Sequence, residues 1–409
     1  MGEGTFVTRQ KNQTGTSRTL RLPFDVPMLL IVIVLLVFGL LMVYSASWDY
    51  SIAMGKGPTY LFGRQVLWVL LGILGAATTS LIDYHFYKRF LVPMWVGTLL
   101  LLLTVLIVNR GQGTDGTRML IGGSIQPSEL AKAVIVIYLS YWLYNRQDTL
   151  NNIQIAFIPL GMILGITFSF IMMQPDLSAA LTVLILGGLL FFLAGGDWKV
   201  ITLIIVITLL VGIPLVYLYP TGRDRISSYL VSLTNPLESS YHIQRSLEAV
   251  VKGKWFGVGI GQADTKFTGL PLAPTDSIFA VIAEETGILG GSFVVIMFVL
   301  FMWRGYVISK NAPDQLGALM AFGLTCWIGI EAFMNTAVIV GLIPFTGNAL
   351  PLISAGGSNM VVVLTAIGII LNISKTSIQQ KSTERSPQGA VVDLRRRNGR
   401  GRVPGNHRS

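Results

Sequence analysis

Residues 27–47 read PMLLIVIVLLVFGLLMVYSAS, without one charged side chain. A helix rises about 1.5 Å per residue, so about 20 apolar residues cross the roughly 30 Å hydrocarbon core of a bilayer. The stretch is too long for the apolar region of a cleavable signal peptide, which has about 7–15 residues. It therefore predicts a membrane-spanning helix near the start of the chain.

The composition of the whole chain agrees with this first stretch. Hydrophobic residues make up 52% of the 409 residues and charged residues 12%, whereas soluble domains carry about 25% charged residues. Mean hydropathy is +0.64. We therefore predict an all-α polytopic membrane protein with ten transmembrane helices, at about residues 27–47, 65–82, 90–108, 128–144, 155–173, 177–195, 199–218, 278–306, 316–340 and 352–374.

The net charge of +10 lies mostly in the two ends of the chain. Residues 1–27 carry a net charge of +2 and residues 375–409 a net charge of +7. Basic tails beside an apolar body indicate the anionic cytoplasmic leaflet of a membrane rather than a nucleic acid. Ten spans place both tails on one side, and the excess of Lys and Arg there predicts that both termini are cytoplasmic.

This pattern divides the chain into three segments. Residues 1–26 form a basic cytoplasmic tail, residues 27–374 the membrane domain, and residues 375–409 a basic cytoplasmic tail whose polar composition predicts disorder. One long loop, at about residues 219–277, separates the seventh and eighth spans and is predicted to lie outside the plasma membrane. Apolar spacing predicts a short helix at residues 240–251 of this loop.

Several ionisable residues lie within predicted spans, where each costs about 2.5–3.5 kcal/mol on insertion scales and needs a reason. Glu129 and Lys132 are three residues apart and share a helical face, which suits either a structural ion pair or a functional pair. Glu284 and Glu285 open the eighth span, and Glu331 is isolated in the ninth. Because adjacent helical positions point about 100° apart, the two adjacent glutamates cannot share one partner.

Asp276 lies in the segment PTDSIF, residues 274–279, where the long loop re-enters the membrane. An aspartate just before a helix caps backbone N–H groups, which lowers its pKa. A carboxylate at the membrane boundary can also act as a general base, which needs a raised pKa. The residues alone leave both roles open.

Two irregular stretches lie before and within the last predicted span. They read PFTGNALP at residues 344–351 and SAGGS at residues 354–358. Irregular backbone at membrane depth is tolerated only where protein or water covers it. The stretches therefore predict a cavity that opens outward.

Cysteine and histidine are scarce in this chain. The single cysteine, Cys326, excludes a disulfide framework and a cysteine-based metal cluster. The three histidines His85, His242 and His407 are far apart in sequence, which argues against a histidine-rich metal site.

Short motifs are spread along the chain in a specific order. They are YSAS at residues 44–47, IQPSELAK at 125–132, QPDL at 174–177, NP at 235–236, QRSL at 244–247, WFGVGIG at 255–261, TDSIF at 275–279, the glutamates 284–285 and GGS at 356–358. In this order, on ten spans with one large outer loop, they resemble the SEDS family (shape, elongation, division and sporulation), the FtsW and RodA proteins. The resemblance extends over residues 27–374.

The resemblance implies a peptidoglycan glycosyltransferase that polymerises the lipid-linked disaccharide lipid II on the outer face of the plasma membrane. Asp276 falls on the family's essential aspartate, which favours the general-base role. A sugar hydroxyl attacks the anomeric carbon of the growing chain, and undecaprenyl diphosphate leaves.

Positive charge must stabilise the departing diphosphate. Arg118, Arg223 and Lys266 are candidates for this role, together with Mg²⁺ or Mn²⁺. The sequence shows no metal site. The full set of candidate substrate-binding residues comprises Arg118, Glu129, Lys132, Arg223, Lys266, Gln244 and Ser358.

The sequence departs from the family pattern in two places. The family usually has His-Thr-Asp-Phe-Ile-Phe, where this chain has Pro274 and Ser277 in place of the His and the first Phe. A lysine common in the turn before the last span is Thr346 here. Phosphate binding is therefore expected to rest on other residues.

The motif at residues 255–261 and the sequence IILNI at residues 369–373 favour the division-type FtsW. The resemblance implies a class B penicillin-binding protein as partner, other divisome or elongasome proteins, and a location at the division septum. Two alternatives remain: a lipid II flippase, and a non-catalytic scaffold for the penicillin-binding protein. A flippase needs polar groups along the whole membrane depth, whereas a scaffold needs no Asp276.

Overall fold

The computed structural model describes residues 24–108, 120, 124–147, 150, 153–218, 220–234 and 240–384. The regular secondary structure of these residues is helical, which confirms the all-α prediction. The α-helices are α1 (Val26–Ala53), α2 (Tyr60–Leu81), α3 (Leu91–Val108), α4 (Pro127–Tyr144), α5 (Ile153–Met172), α6 (Leu177–Leu193), α7 (Trp198–Leu218), α8 (Pro220–Thr234), α9 (Tyr241–Gly253), α10 (Ile278–Lys310), α11 (Gln315–Ile339) and α12 (Gly357–Glu384).

A helix lies at each of the ten predicted spans, namely α1 to α7 and α10 to α12. Six helical segments of the described chain are long and apolar enough to cross a membrane, including α1, α10, α11 and most of α12. Ile158–Met172 and Leu177–Leu193 are shorter apolar helices. The chain is therefore a polytopic membrane protein, and the count of ten crossings stays a prediction.

The last helix differs from its predicted bounds at both ends. It begins at Gly357 rather than at residue 352, because Leu352 has a left-handed backbone (φ 64°) and Ser354 Oγ binds the Leu350 amide. It continues to Glu384, ten residues into the segment predicted as a disordered tail. Ser377 Oγ donates to the Asn311 carbonyl there, which ties this extension to the end of α10. The remaining tail residues lie outside the described residues.

Helix α11 is the centre of the bundle. In its most apolar window 78% of the residues are buried, compared with 17% for α2. Helix α10 packs on α11, α1 and α9, and α12 packs along α2. Helices α10, α4, α12 and α6 pack on α11. Asp276 lies just before α10, and the GGS motif opens α12.

The long loop contains two helices. Helix α9 confirms the predicted one, and Ile243 on its inner face is buried. Helix α8 was not predicted, because its apolar residues are too few to give a clear pattern. Both helices lie at the end of the bundle where Asp276 is found, which we call the Asp276 end.

Helix α10 is broken near its start at Gly287, whose φ of 69° and ψ of −167° lie outside the helical region. The chain after α9 runs beside this break. The amide of Val258 donates to the Glu284 carbonyl at 3.0 Å, and the amide of Ile288 donates to the Lys254 carbonyl at 2.9 Å. The break thus exposes backbone groups that fix residues 254–259 against α10.

The side chains of two adjacent glutamates add further contacts between the long loop and the bundle. Glu284 accepts hydrogen bonds from the amides of Asp264 (3.0 Å) and Thr265 (3.3 Å). Glu285 pairs with Lys266 Nζ at 2.8 Å and accepts from Ser45 Oγ of α1 at 2.6 Å. As expected from their spacing, the two side chains serve different partners, and both hold the long loop to the bundle.

We expect Glu285→Gln to lower the free energy of unfolding by about 3–5 kcal/mol, because it leaves the buried Lys266 charge unpaired. Lys266 is 3% exposed and Glu285 fully buried. Glu248→Gln is the matched control, since Glu248 pairs on the exposed surface of α9 with Arg245 and Lys252; it should cost at most about 1 kcal/mol. Denaturant titration in detergent measures both, and equal losses would contradict the buried pair.

Candidate functional site

Asp276 lies in a turn, residues 271–277, that directly precedes α10. Ser277 occupies the N-cap position of α10, so Asp276 is not the N-cap residue. The turn is held by hydrogen bonds to four of its carbonyls. They are Ser277 Oγ to Pro271 (2.7 Å), Ala355 N to Pro274 (2.9 Å), Ser354 Oγ to Thr275 (2.7 Å) and Asn335 Nδ2 to Asp276 (2.8 Å).

Three of these donors come from the centre of the bundle. Asn335 belongs to α11, and Ser354 and Ala355 belong to the irregular segment between α11 and α12. The predicted irregular stretches are therefore covered by protein, and their polar groups position the turn that carries the aspartate.

Arg225 of α8 reaches the same place. A Cβ atom at Gly347 would lie 3.5 Å from Asp276 Oδ2 and 3.9 Å from Arg225 Nη2, so the carboxylate and the guanidinium both border this glycine. Arg225 Nη1 donates to the Thr346 carbonyl at 3.3 Å, and its guanidinium lies 5.4 Å from the Phe345 ring centre. Sequence reasoning chose Arg223 instead. Side chains two positions apart on a helix point about 200° from each other. The helical phase of α8 therefore decides which of the two arginines faces Asp276.

The imidazole of His242, on α9, contacts the side chains of Phe345 and Ser277. Its ring centre lies 4.0 Å from that of Phe345, and its Nε2 lies 2.9 Å from Ser277 Oγ. Burial, aided by the positive charge of Arg225, lowers the pKa of His242 to about 4. The imidazole is therefore neutral near pH 7. Sequence reasoning noted this histidine only when considering metal sites.

Three of the sequence motifs meet beside the turn. Asp176 of QPDL accepts from Gln126 Nε2 and Ser128 Oγ of IQPSELAK, both at 3.0 Å. Ser178 Oγ lies 2.6 Å from Asn348 Oδ1. Ser358 Oγ of GGS accepts from the Gln126 amide at 2.9 Å. Segments that are more than 40 residues apart thus form one polar wall.

A second polar cluster is buried within the bundle. Lys132 Nζ lies 2.9 Å from Glu129 Oε1 and also pairs with Glu331. Trp327 Nε1 donates to Glu331 at 2.7 Å, and Asn359 Nδ2 donates to Glu129 at 2.8 Å. The predicted pairing of Glu129 with Lys132 is confirmed, and Glu331, which looked isolated in sequence, completes it.

Residues 26–379 match the family model for the FtsW, RodA and SpoVE cell cycle proteins. The chain belongs to this family. It is 35% identical over 354 residues to "Probable peptidoglycan glycosyltransferase FtsW" of Geobacter sp. (strain M18), which covers 86% of this chain and 96% of the relative. It is also 35% identical over 356 residues to stage V sporulation protein E of Bacillus subtilis (strain 168), which covers 86% of this chain and 97% of that protein.

Two solved structures share the fold of this chain. One is the rod shape determining protein RodA of Thermus thermophilus, with a TM-score of 0.64 and 23% identity over 87% of this chain and 98% of that one. The other is described as "Structural coordination of polymerization and crosslinking by a peptidoglycan synthase complex", with a TM-score of 0.70 and 24% identity over 87% of this chain and 99% of that one. The resemblance to the SEDS family is thereby confirmed, and so is the peptidoglycan glycosyltransferase activity that the relatives' names give.

The remaining candidate residues are scattered in this family member. Lys266 is buried against Glu285, Arg223 is exposed on α8, and Gln244 is half-buried on α9. Arg118 lies outside the described residues. The substrate-binding roles of these residues, and those of Glu129, Lys132 and Ser358, stay predictions. The described residues include no group of three or more His, Cys, Asp or Glu side chains that could hold a metal ion.

We expect Lys132→Met to lower the free energy of unfolding by about 3–5 kcal/mol, because it leaves two buried carboxylates without a cation. Glu331→Gln should cost less than about 1 kcal/mol, since the cluster of two carboxylates and one ammonium then becomes a neutral pair of Lys132 and Glu129. Denaturant titration of both variants in the same detergent measures the difference. A Glu331→Gln variant that is as unstable as Lys132→Met would contradict this charge balance.

Proposed function

We propose that this peptidoglycan glycosyltransferase polymerises lipid II into glycan strands at the outer face of the plasma membrane, with Asp276 as its general base. The observation that carries the proposal is that the Asp276 carboxylate and the Arg225 guanidinium both border Gly347. A proton acceptor and a cation at one place are the two groups that glycosyl transfer from a diphosphate needs.

Asp276 would act on the attacking sugar. The hydroxyl oxygen of one lipid II forms a bond to the anomeric carbon of the growing chain, and the bond from that carbon to the diphosphate oxygen breaks. The hydroxyl proton passes to the Asp276 carboxylate, which must be within about 2.6–3.2 Å of the hydroxyl. The four hydrogen-bonded carbonyls of the turn favour this role, because a fixed backbone keeps the carboxylate in one direction.

Arg225 would bind the departing diphosphate. A guanidinium can donate two parallel hydrogen bonds to phosphate oxygens, which suits it better than a lysine to this task. Its contacts with Phe345 and the Thr346 carbonyl hold it beside Asp276. Arg225 thus replaces the lysine that the family commonly has at the position of Thr346.

The site could hold a divalent cation between its own oxygen atoms and the diphosphate of the substrate. The described residues offer hard oxygen donors, namely the Asp276 carboxylate and the buried Asn335 Oδ1, which has no hydrogen-bond partner. Mg²⁺ is commonly held by one or two carboxylates together with substrate phosphates. When bound, Mg²⁺ or Mn²⁺ would neutralise charge on the leaving diphosphate.

We further propose a class B penicillin-binding protein as the partner that cross-links the glycan, at the division septum. The likeness of the fold to a chain of a solved peptidoglycan synthase complex supports a partner of this kind. The excess of Lys and Arg at the ends of the chain supports cytoplasmic termini, which puts the Asp276 end outside.

Asp276→Asn should reduce lipid II polymerisation at least about 100-fold, because the amide keeps the shape of the carboxylate but cannot take up the proton. Asp264→Asn is the control, since Asp264 is an exposed aspartate of the same loop. Both variants are co-purified with the class B penicillin-binding protein and given labelled lipid II and Mg²⁺. Equal glycan yield from Asp276→Asn and wild type would reject Asp276 as the general base.

Arg225→Gln should lower kcat about 10- to 1,000-fold, because the cation acts on charge that develops as the diphosphate leaves. Arg245→Gln is the control, because Arg245 pairs with Glu248 on the exposed part of α9. Single-turnover polymerisation with labelled lipid II separates the chemical step from binding. An Arg225→Gln variant with wild-type kcat would exclude Arg225 from the diphosphate site.

A further inference from the structure

The hydroxyl of Ser277 lies between two partners and carries one proton. Its Oγ is 2.7 Å from the Pro271 carbonyl and 2.9 Å from His242 Nε2. A carbonyl oxygen can only accept, so the hydroxyl proton must go to Pro271. His242 Nε2 must then carry the second proton and donate to Ser277 Oγ. Hydrogen-bond counting thus assigns His242 to the Nε2–H tautomer.

The surroundings of His242 keep its ring neutral. The positively charged Arg225 lies on the same aromatic ring: the centre of Phe345 is 4.0 Å from the imidazole centre and 5.4 Å from the guanidinium. Burial and this positive charge lower the pKa of His242 to about 4. A protonated His242 would repel the positively charged Arg225, whereas the neutral ring does not.

His242 binds the turn through a side chain, whereas the donors from the bundle bind its backbone carbonyls. Asn335, Ser354 and Ala355 bind backbone carbonyls from the bundle. His242 belongs to α9 and binds the side chain of Ser277, the residue next to Asp276. Because α9 is anchored by the buried Ile243, the bond joins the turn to a packed helix of the long loop.

We propose that His242 is a positioning residue for Asp276: its Nε2–H group donates to Ser277 Oγ and fixes the turn that directs the carboxylate toward the acceptor sugar. This inference rests on the proposed function. It also explains a departure of the sequence from the family pattern, because a serine at position 277, unlike a phenylalanine, can link His242 to the Pro271 carbonyl.

Three substitutions test the hydrogen bond by steady-state kinetics of lipid II polymerisation. His242→Ala and Ser277→Ala each remove it and should lower kcat about 10- to 100-fold, with KM changed less than about twofold, since misplacing a reacting group by about 1 Å has an effect of this size. His242→Gln keeps an N–H donor at similar reach and should retain at least about half of the wild-type kcat. The double alanine variant should be no worse than either single one, because both remove the same bond.

Several outcomes would overturn the proposal. They are wild-type kcat in His242→Ala, a Gln variant as impaired as the Ala variant, or a loss that appears in KM with kcat unchanged. Wild-type enzyme in the same assay separates this proposal from the proposed function. If wild type makes no glycan, the polymerase function fails; if wild type is active and His242→Ala equals it, only the role of His242 fails.

Nitrogen NMR of the histidine rings tests the tautomer without any activity measurement. The chain has three histidines, so ¹⁵N-histidine labelling gives a simple spectrum, and the His242→Gln variant assigns the signal. We expect a neutral Nε2–H ring from pH 8 to pH 5.5, and a changed signal in Ser277→Ala. A charged ring at pH 7, or an Nδ1–H tautomer, would contradict the inference even if the alanine variants fold poorly.

Discussion

Backbone carbonyls at membrane depth must find hydrogen-bond donors in the protein, and this constraint shapes the Asp276 end of the molecule. The turn at residues 271–277 and the segment between α11 and α12 both lack helical hydrogen bonds. Each supplies what the other needs: Ala355 and Ser354 donate to the turn, and Asn335 bridges the carbonyls of Asp276 and Asn348. The fixed direction of Asp276 is a consequence of this pairing.

Buried charged side chains likewise need partners inside the protein. Glu285 and Lys266 hold the long loop to α1 and α10, while Lys132 is enclosed by two glutamates. Removing one partner of such an ion pair is strongly destabilising, because the other charge then stays buried and unpaired. Such pairs stabilise the bundle, whereas Asp276 and Arg225 both border a glycine, where the missing side chain leaves room.

The sequence predicts the helices better than the site. Apolar runs of about 20 residues are a strong signal for helices that cross a membrane. They located α1 to α7, α10 and α11 to within six residues at either end, whereas α12 extends ten residues beyond its predicted end. Helix α8 has no such signal, and without its helical phase Arg225 could not be preferred to Arg223. The partners of Glu331 and Lys266 could not be predicted either. Glu331 meets Lys132 across 199 residues of sequence, and no local spacing encodes that contact.

A structure of the chain with a lipid-linked disaccharide and Mg²⁺, solved by electron cryomicroscopy in a nanodisc, tests the central claim most directly. We expect the diphosphate on the Arg225 guanidinium and an acceptor sugar hydroxyl within about 3.2 Å of the Asp276 carboxylate. A diphosphate bound at the opposite end of the bundle, or a sugar separated from Asp276 by the turn itself, would contradict it.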